Sequence, residues 1–164
     1  MADLDSRLYD AVERGNKREV IDLLGKGADP NIALKTAVMK NQVDNVKLLL
    51  QHGADPNEAM YYAICSGNVD IVKVMLEHGA KPNWALETAV RWDKVDIVKL
   101  LLQHGADPNE AMYDAIGSGN VDIVKVMLEH GAKPNWVRFI FNVCILFPNS
   151  YFRLGDNVYV SINR

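Results

Sequence analysis

Cysteine is scarce in this chain: Cys65 and Cys144 are the two in 164 residues, and they lie in unrelated sequence contexts. That excludes a disulfide framework and makes a reducing, cytoplasmic compartment the expectation. Charge of one sign is lacking too, since 18 lysines and arginines are interleaved with 21 aspartates and glutamates for a net charge of −3. With no basic block to neutralise a run of phosphates, nucleic acid is not an expected partner. Long apolar runs are missing, and no segment reaches the roughly 18 residues that a membrane-spanning helix needs. The first ten residues carry Asp3, Asp5 and Asp10 without an apolar stretch, so no secretory signal is expected. Gly-rich phosphate loops, nucleophile elbows, paired-carboxylate motifs and calcium-loop spacings are all absent from the sequence. What the chain does have is 49% hydrophobic residues, enough for one continuous core.

Those residues are arranged periodically. The pentapeptide Gly-Ala-(Asp/Lys)-Pro-Asn begins at Gly27, Gly53, Gly79, Gly105 and Gly131, a constant spacing of 26. A longer register lies over it: Val46 to Trp84 matches Val98 to Trp136 except at Tyr62/Asp114 and Cys65/Gly117, a duplication of two units in 52 residues.

Each unit reads as two short antiparallel helices. In the unit from Asn57 to Pro82, Asn57 is placed to cap a helix whose apolar positions Met60, Ala63 and Ile64 share one face. Gly67 ends it, and the equivalent Gly15, Asn41, Asp93 and Gly119 are the residue types that best tolerate a left-handed backbone. The second helix starts at Asn68 with Asp70 in its first turn, favoured by the helix dipole. Val69, Val72, Met75 and Leu76 form its buried stripe, and Ile71 and Val74 form a second apolar flank. Two flanks imply two neighbours, the partner helix and the adjoining unit. Gly79 stops this helix, Pro82 bars its continuation, and Asn83 is expected to cap the next one.

The run Gly67 to Asn83, Gly-Asn-Val-Asp-Ile-Val-Lys-Val-Met-Leu-Glu-His-Gly-Ala-Lys-Pro-Asn, resembles the ankyrin-repeat family, as does its copy from Gly119 to Asn135. The resemblance covers about Leu4 to Asn135. It implies an all-α, ankyrin-like solenoid of five stacked helix-turn-helix repeats, at about 4–30, 31–56, 57–82, 83–108 and 109–134 within residues 1–134. The family's usual repeat is about 33 residues. The shortfall here comes after Pro-Asn, so shortened fingers are expected. The family's Thr-Pro-Leu-His box is also replaced, by Glu58-Ala59-Met60-Tyr61 in one unit, and its hydrogen-bonding role between repeats does not carry over.

The ends differ from the middle. Glu19 and Asp22 occupy in the first unit the positions of Ile71 and Val74, as an outward-facing cap requires. Residues 135–164 break the register and read as an atypical apolar C-terminal tail, expected to cover the last repeat imperfectly or else to be sequence joined on where the array was truncated. Within it, Trp136 to Phe147 is a nearly unbroken apolar run. Tyr151 to Ile162 has strand-like composition about Gly155-Asp156-Asn157, a hairpin signature.

Chemistry finds little foothold. His52, His78, His104 and His130 recur just before a helix-ending glycine, and stacked units hold neighbours roughly 10 Å apart, too far to share a metal. Carbonyls at the helix C-terminus are their expected partners. Cys65 has Gly117 as its counterpart and reads as a small surface filler. No cofactor or catalytic residue is expected. The resemblance instead implies a concave recognition surface at the ends of the first helices, and the duplicated halves differ there. Its candidate residues are Glu13, Arg14, Met39, Lys40, Tyr62, Cys65, Ser66, Arg91, Trp92, Asp114 and Ser118, with Trp92 beside Arg91 as the anchor. Trp84 and Trp136, where other units have Ile32, Glu58 and Glu110, are expected to fill the gap left by the missing finger, with ligand contact as the alternative. The function expected is that of a non-catalytic scaffold binding another protein. The alternatives are self-association through 136–147, or a decayed repeat protein without activity. Repeat proteins of this family are also common in intracellular bacteria and large viruses, so the resemblance is compatible with delivery into a host cell, which no residue of the sequence establishes.

Overall fold

A computed structural model describes residues 3–133 and two strands beyond them, 151–154 and 158–161. Ten helices fill the first of these regions: α1 (Leu4–Glu13), α2 (Lys17–Gly25), α3 (Asn31–Met39), α4 (Val43–Gln51), α5 (Asn57–Ser66), α6 (Val69–Glu77), α7 (Pro82–Arg91), α8 (Val95–Gln103), α9 (Met112–Ser118) and α10 (Val121–Glu129). Each odd-numbered helix packs on the even-numbered helix that follows it, and odd helices touch odd and even touch even in series. Residues 4–129 therefore form an all-α solenoid of five helix pairs in two layers, first helices in one and second helices in the other. Strands β1 (Tyr151–Leu154) and β2 (Val158–Ser161) pair antiparallel, Tyr151 opposite Ser161, as the hairpin signature anticipated. The turn residues Gly155, Asp156 and Asn157, and the apolar run 136–147 with the self-association assigned to it, lie outside the described residues.

Local signals place the helix ends. Gly15, Asn41, Gly67, Asp93 and Gly119 all take positive φ, between 51° and 77°. At each of the first two sites the chain closes a paired hydrogen-bond motif, such as Gly15 N–H to the Val12 carbonyl and Asn16 N–H to the Ala11 carbonyl. Asn16, Asn68 and Asn120 then cap α2, α6 and α10 through their side-chain oxygens.

The core repeats with the sequence. Ala59, Met60, Ala63 and Ile64 of α5 are buried against Ile71, Val72, Val74, Met75 and Leu76 of α6. Val69, assigned to that stripe from the sequence, is instead exposed, as the first residue of α6. An alanine recurs at positions 37, 63, 89 and 115, fully buried, and its small size lets the first helices approach closely. In the first unit Asp22 is exposed where Val74 and Val126 are buried, as expected of a terminal face.

Two assignments from sequence need correction. Asn57 and Asn83 do not cap their helices: Pro56 precedes α5, and Pro82 is itself the first residue of α7, with Lys81 at the cap. Proline suits that position because the N–H it lacks would have no intrahelical partner. The asparagines join the units instead. Asp55 N–H donates to Asn31 Oδ1 (2.8 Å), Lys81 N–H to Asn57 Oδ1 (2.9 Å), Asp107 N–H to Asn83 Oδ1 (3.0 Å) and Lys133 N–H to Asn109 Oδ1 (2.7 Å). Asp5 serves the first joint, accepting from Asp29 N–H at 2.8 Å. The bond between repeats that the replaced Thr-Pro-Leu-His box does not supply is thus made by Asn.

Candidate functional site

Helix periodicity and the stacking of units place one exposed stripe of the first-helix layer near the turns into the second helices. Here the structure sets Glu13, Met39, Cys65, Arg91 and Gly117 in one row, with Arg14, Lys40, Ser66, Trp92 and Ser118 beside it. Several members are engaged. Lys40 Nζ pairs with Glu13 across the first joint at 2.9 Å, Arg14 pairs with Glu19 at 2.9 Å, and Ser66 and Ser118 each donate their hydroxyl to a carbonyl in their own helix. Arg91 bonds Glu87 one turn back and lies 4.0 Å from Asp114 of the next unit. The ion pairs lie at the surface and add little stability individually. Their effect is to orient the side chains.

Met39 and Trp92 remain as the open apolar groups of the row, 60% and 51% exposed. Tyr62 is half-buried: Lys35 Nζ sits 4.3 Å from its ring centroid and Tyr61 meets it edge-on at 5.5 Å. Cys65 is half-buried, and its thiol beside Tyr61 pushes that hydroxyl above its ordinary pKa. The four histidines each place Nδ1 within 2.7–2.9 Å of the carbonyl four residues back, the C-terminal partner expected from the sequence. Among the described residues no three His, Cys, Asp or Glu side chains gather as a metal would need, and no helix is long and apolar enough to cross a membrane.

Sequence reasoning missed part of this face. Of the nine large hydrophobic side chains exposed among the described residues, seven belong to the first-helix layer: Tyr9, Ile32, Met39, Tyr61, Trp84, Trp92 and Tyr113. The signal was present, since Tyr9, Tyr61 and Tyr113 are 52 residues apart. An alternating pattern puts Tyr in the first helix of the odd units and an apolar residue at each end of that helix in the second and fourth.

Trp84 stands at the other end of α7 from Trp92 and is 38% exposed. It lines a cleft of about 640 Å³ with Lys81, Asn83, Glu87, Gly105 and Glu110. Trp136, its copy, lies outside the described residues.

A family model described as ankyrin repeats matches the chain in three overlapping copies, over residues 8–85, 58–111 and 84–137. No curated protein matches it.

Proposed function

The chain belongs to the ankyrin-repeat family, whose solenoids act in protein–protein interaction, and on that premise we propose that it is a non-catalytic scaffold that grips one partner protein through its first-helix layer, with Trp92 and Arg91 as the anchor. The observation that carries this reading is the segregation of exposed apolar side chains. Seven of nine lie on the first-helix layer, whereas the second-helix layer presents Asp44, Asp70, Asp96 and Asp122 beside Lys47, Lys73, Lys99 and Lys125. A half-open tryptophan next to an arginine already oriented by Glu87 has the composition and preorganisation of an interface hot spot.

The test is affinity capture with the full chain, Trp92→Ala and the second-layer control Lys73→Ala, each checked for folding by circular dichroism. A partner retained by the parent and the control should bind Trp92→Ala at least roughly thirtyfold more weakly, the loss of about 2 kcal/mol that defines a hot spot. Equal binding by Trp92→Ala would remove the anchor assignment.

A further inference from the structure

We propose that the cleft beside Trp84, at the joint of the fourth and fifth units, receives an arginine side chain from the partner protein. This rests on the reading of the first-helix layer as the binding face and adds the chemistry of one subsite.

The cleft arises where the repeat departs from its own pattern. In three units an aspartate precedes Pro-Asn, and the asparagine donates its Nδ2 back to that carboxylate: Asn31 to Asp29 (3.0 Å), Asn57 to Asp55 (2.8 Å) and Asn109 to Asp107 (2.8 Å). The fourth unit has Lys81 there. Deprived of its carboxylate, Asn83 donates Nδ2 across the joint to Glu110 Oε1 at 3.3 Å. The larger Trp84 stands where the second unit has Ile32. The same five residues, Asn-Glu-Ala-Met-Tyr, open helix α5 at Asn57 but are still in a turn at Asn109 and Glu110, so that α9 starts only at Met112. Unwinding one turn beside a bulky indole leaves the gap that Trp84, Glu87, Gly105 and Glu110 line.

The lining selects its occupant. Two carboxylates, Glu87 and Glu110, line the cleft against one cation, Lys81. Glu87 is bonded by Arg91, whereas among the described residues the Glu110 carboxylate has only the neutral Asn83 amide. An anionic group would face this acidic excess. An apolar side chain would bury Glu110 without a counter-ion. A cation with a flat, weakly hydrated face satisfies both walls, stacking on the indole and presenting paired N–H donors to Glu110; that describes guanidinium better than ammonium.

The experiment is a ¹H–¹⁵N NMR titration of the full labelled chain with N-acetyl-arginine methylamide, and with the lysine, leucine and glutamate analogues. The expected result is a saturable shift of the Trp84 indole N–H and of amides in 83–87 and 105–110, on the order of millimolar affinity, strongest for arginine. Glu110→Gln, exposed and still able to accept from Asn83, should weaken it about tenfold, the share of a charge-assisted bond. Trp84→Leu should weaken it as well, and Asp70→Asn on the other layer should leave it unchanged. Equal shifts for lysine or glutamate, unaltered binding by Glu110→Gln, or shifts spread over carboxylates on both layers would each overturn the proposal. A failure here leaves the Trp92 assignment standing, because that assay reads the opposite end of α7.

Discussion

Replacing Asn45 by isoleucine should make the protein more stable. Asn45 lies in the first turn of α4, 3% exposed, and is the one buried polar side chain in the described core. Its Nδ2 donates to Gln42 Oε1 at 2.8 Å, and Gln42 in turn donates to the Val12 carbonyl of the first unit at 2.9 Å. Its Oδ1 has no partner. The equivalent residues of the later units, Ile71, Ile97 and Ile123, are essentially fully buried, so the site has the shape of isoleucine. An unsatisfied buried acceptor costs about 1–3 kcal/mol, and a fully buried isoleucine contributes about 1.5–3 kcal/mol. Against these stand the lost bond to Gln42, about 0.5–1.5 kcal/mol, and the acceptor of Gln42 left half-buried. The net expectation is about 1–3 kcal/mol of added stability. At about 2–4 °C per kcal/mol for a chain of this length, the Tm rises by several degrees. Urea unfolding followed by far-UV circular dichroism measures the change. Hydrogen exchange should place the gain in α2 and α4, because a repeat array couples nearest neighbours. A neutral or destabilising result would refute the reasoning and mean that Oδ1 is satisfied by an internal water.

Two further outcomes follow from the joints. Asn57→Ala removes the acceptor of Lys81 N–H and the donor to Asp55, and should cost about 1–2 kcal/mol in the same unfolding assay; a change under about 0.3 kcal/mol would mean that water replaces both bonds. Asp55 and Asp107 are held below the ordinary 3.8, chiefly by the backbone N–H groups of Asn57 and Asn109. Since their folded pKa lies below the unfolded one, their contribution is present above about pH 4 and is lost as the pH falls through the folded value. The double variant Asp55→Asn, Asp107→Asn should therefore show a flatter decline in urea midpoint on acidification, and a parallel decline would remove these carboxylates as its source.

The repeat, its turns and its core were legible in the sequence because each rests on a constraint one residue type satisfies. A left-handed backbone at 15, 41, 67, 93 and 119 selects Gly, Asn or Asp, and a buried stripe selects apolar residues at helical spacing. The asparagines after proline were legible as important and were given the wrong role. The side-chain oxygen that accepts an N–H at a helix start also accepts one from the next unit, and only the stacking geometry tells the two apart. Asn45 escaped notice because polarity in a sequence suggests exposure, and its burial is decided by the neighbouring unit. On the candidate face, Arg91 and Trp92 were legible from differences between near-identical copies. The tyrosine row was not, because Tyr9, Tyr61 and Tyr113 are alike, and comparing copies for differences hides what they share. The Trp84 cleft depends on a hydrogen bond redirected by Lys81 across a joint, which no local pattern encodes.

The bond at each joint spans 24 residues of sequence, and the two halves from Val46 and from Val98 are nearly identical. Unequal recombination between those halves would delete or insert 52 residues. After a deletion, Asn31 would meet the amide of Asp107 as it now meets that of Asp55, with the same alanines and methionines beneath. Such an exchange would change the number of units by two while every joint keeps its hydrogen bond, so the length of the solenoid can change without a change of fold.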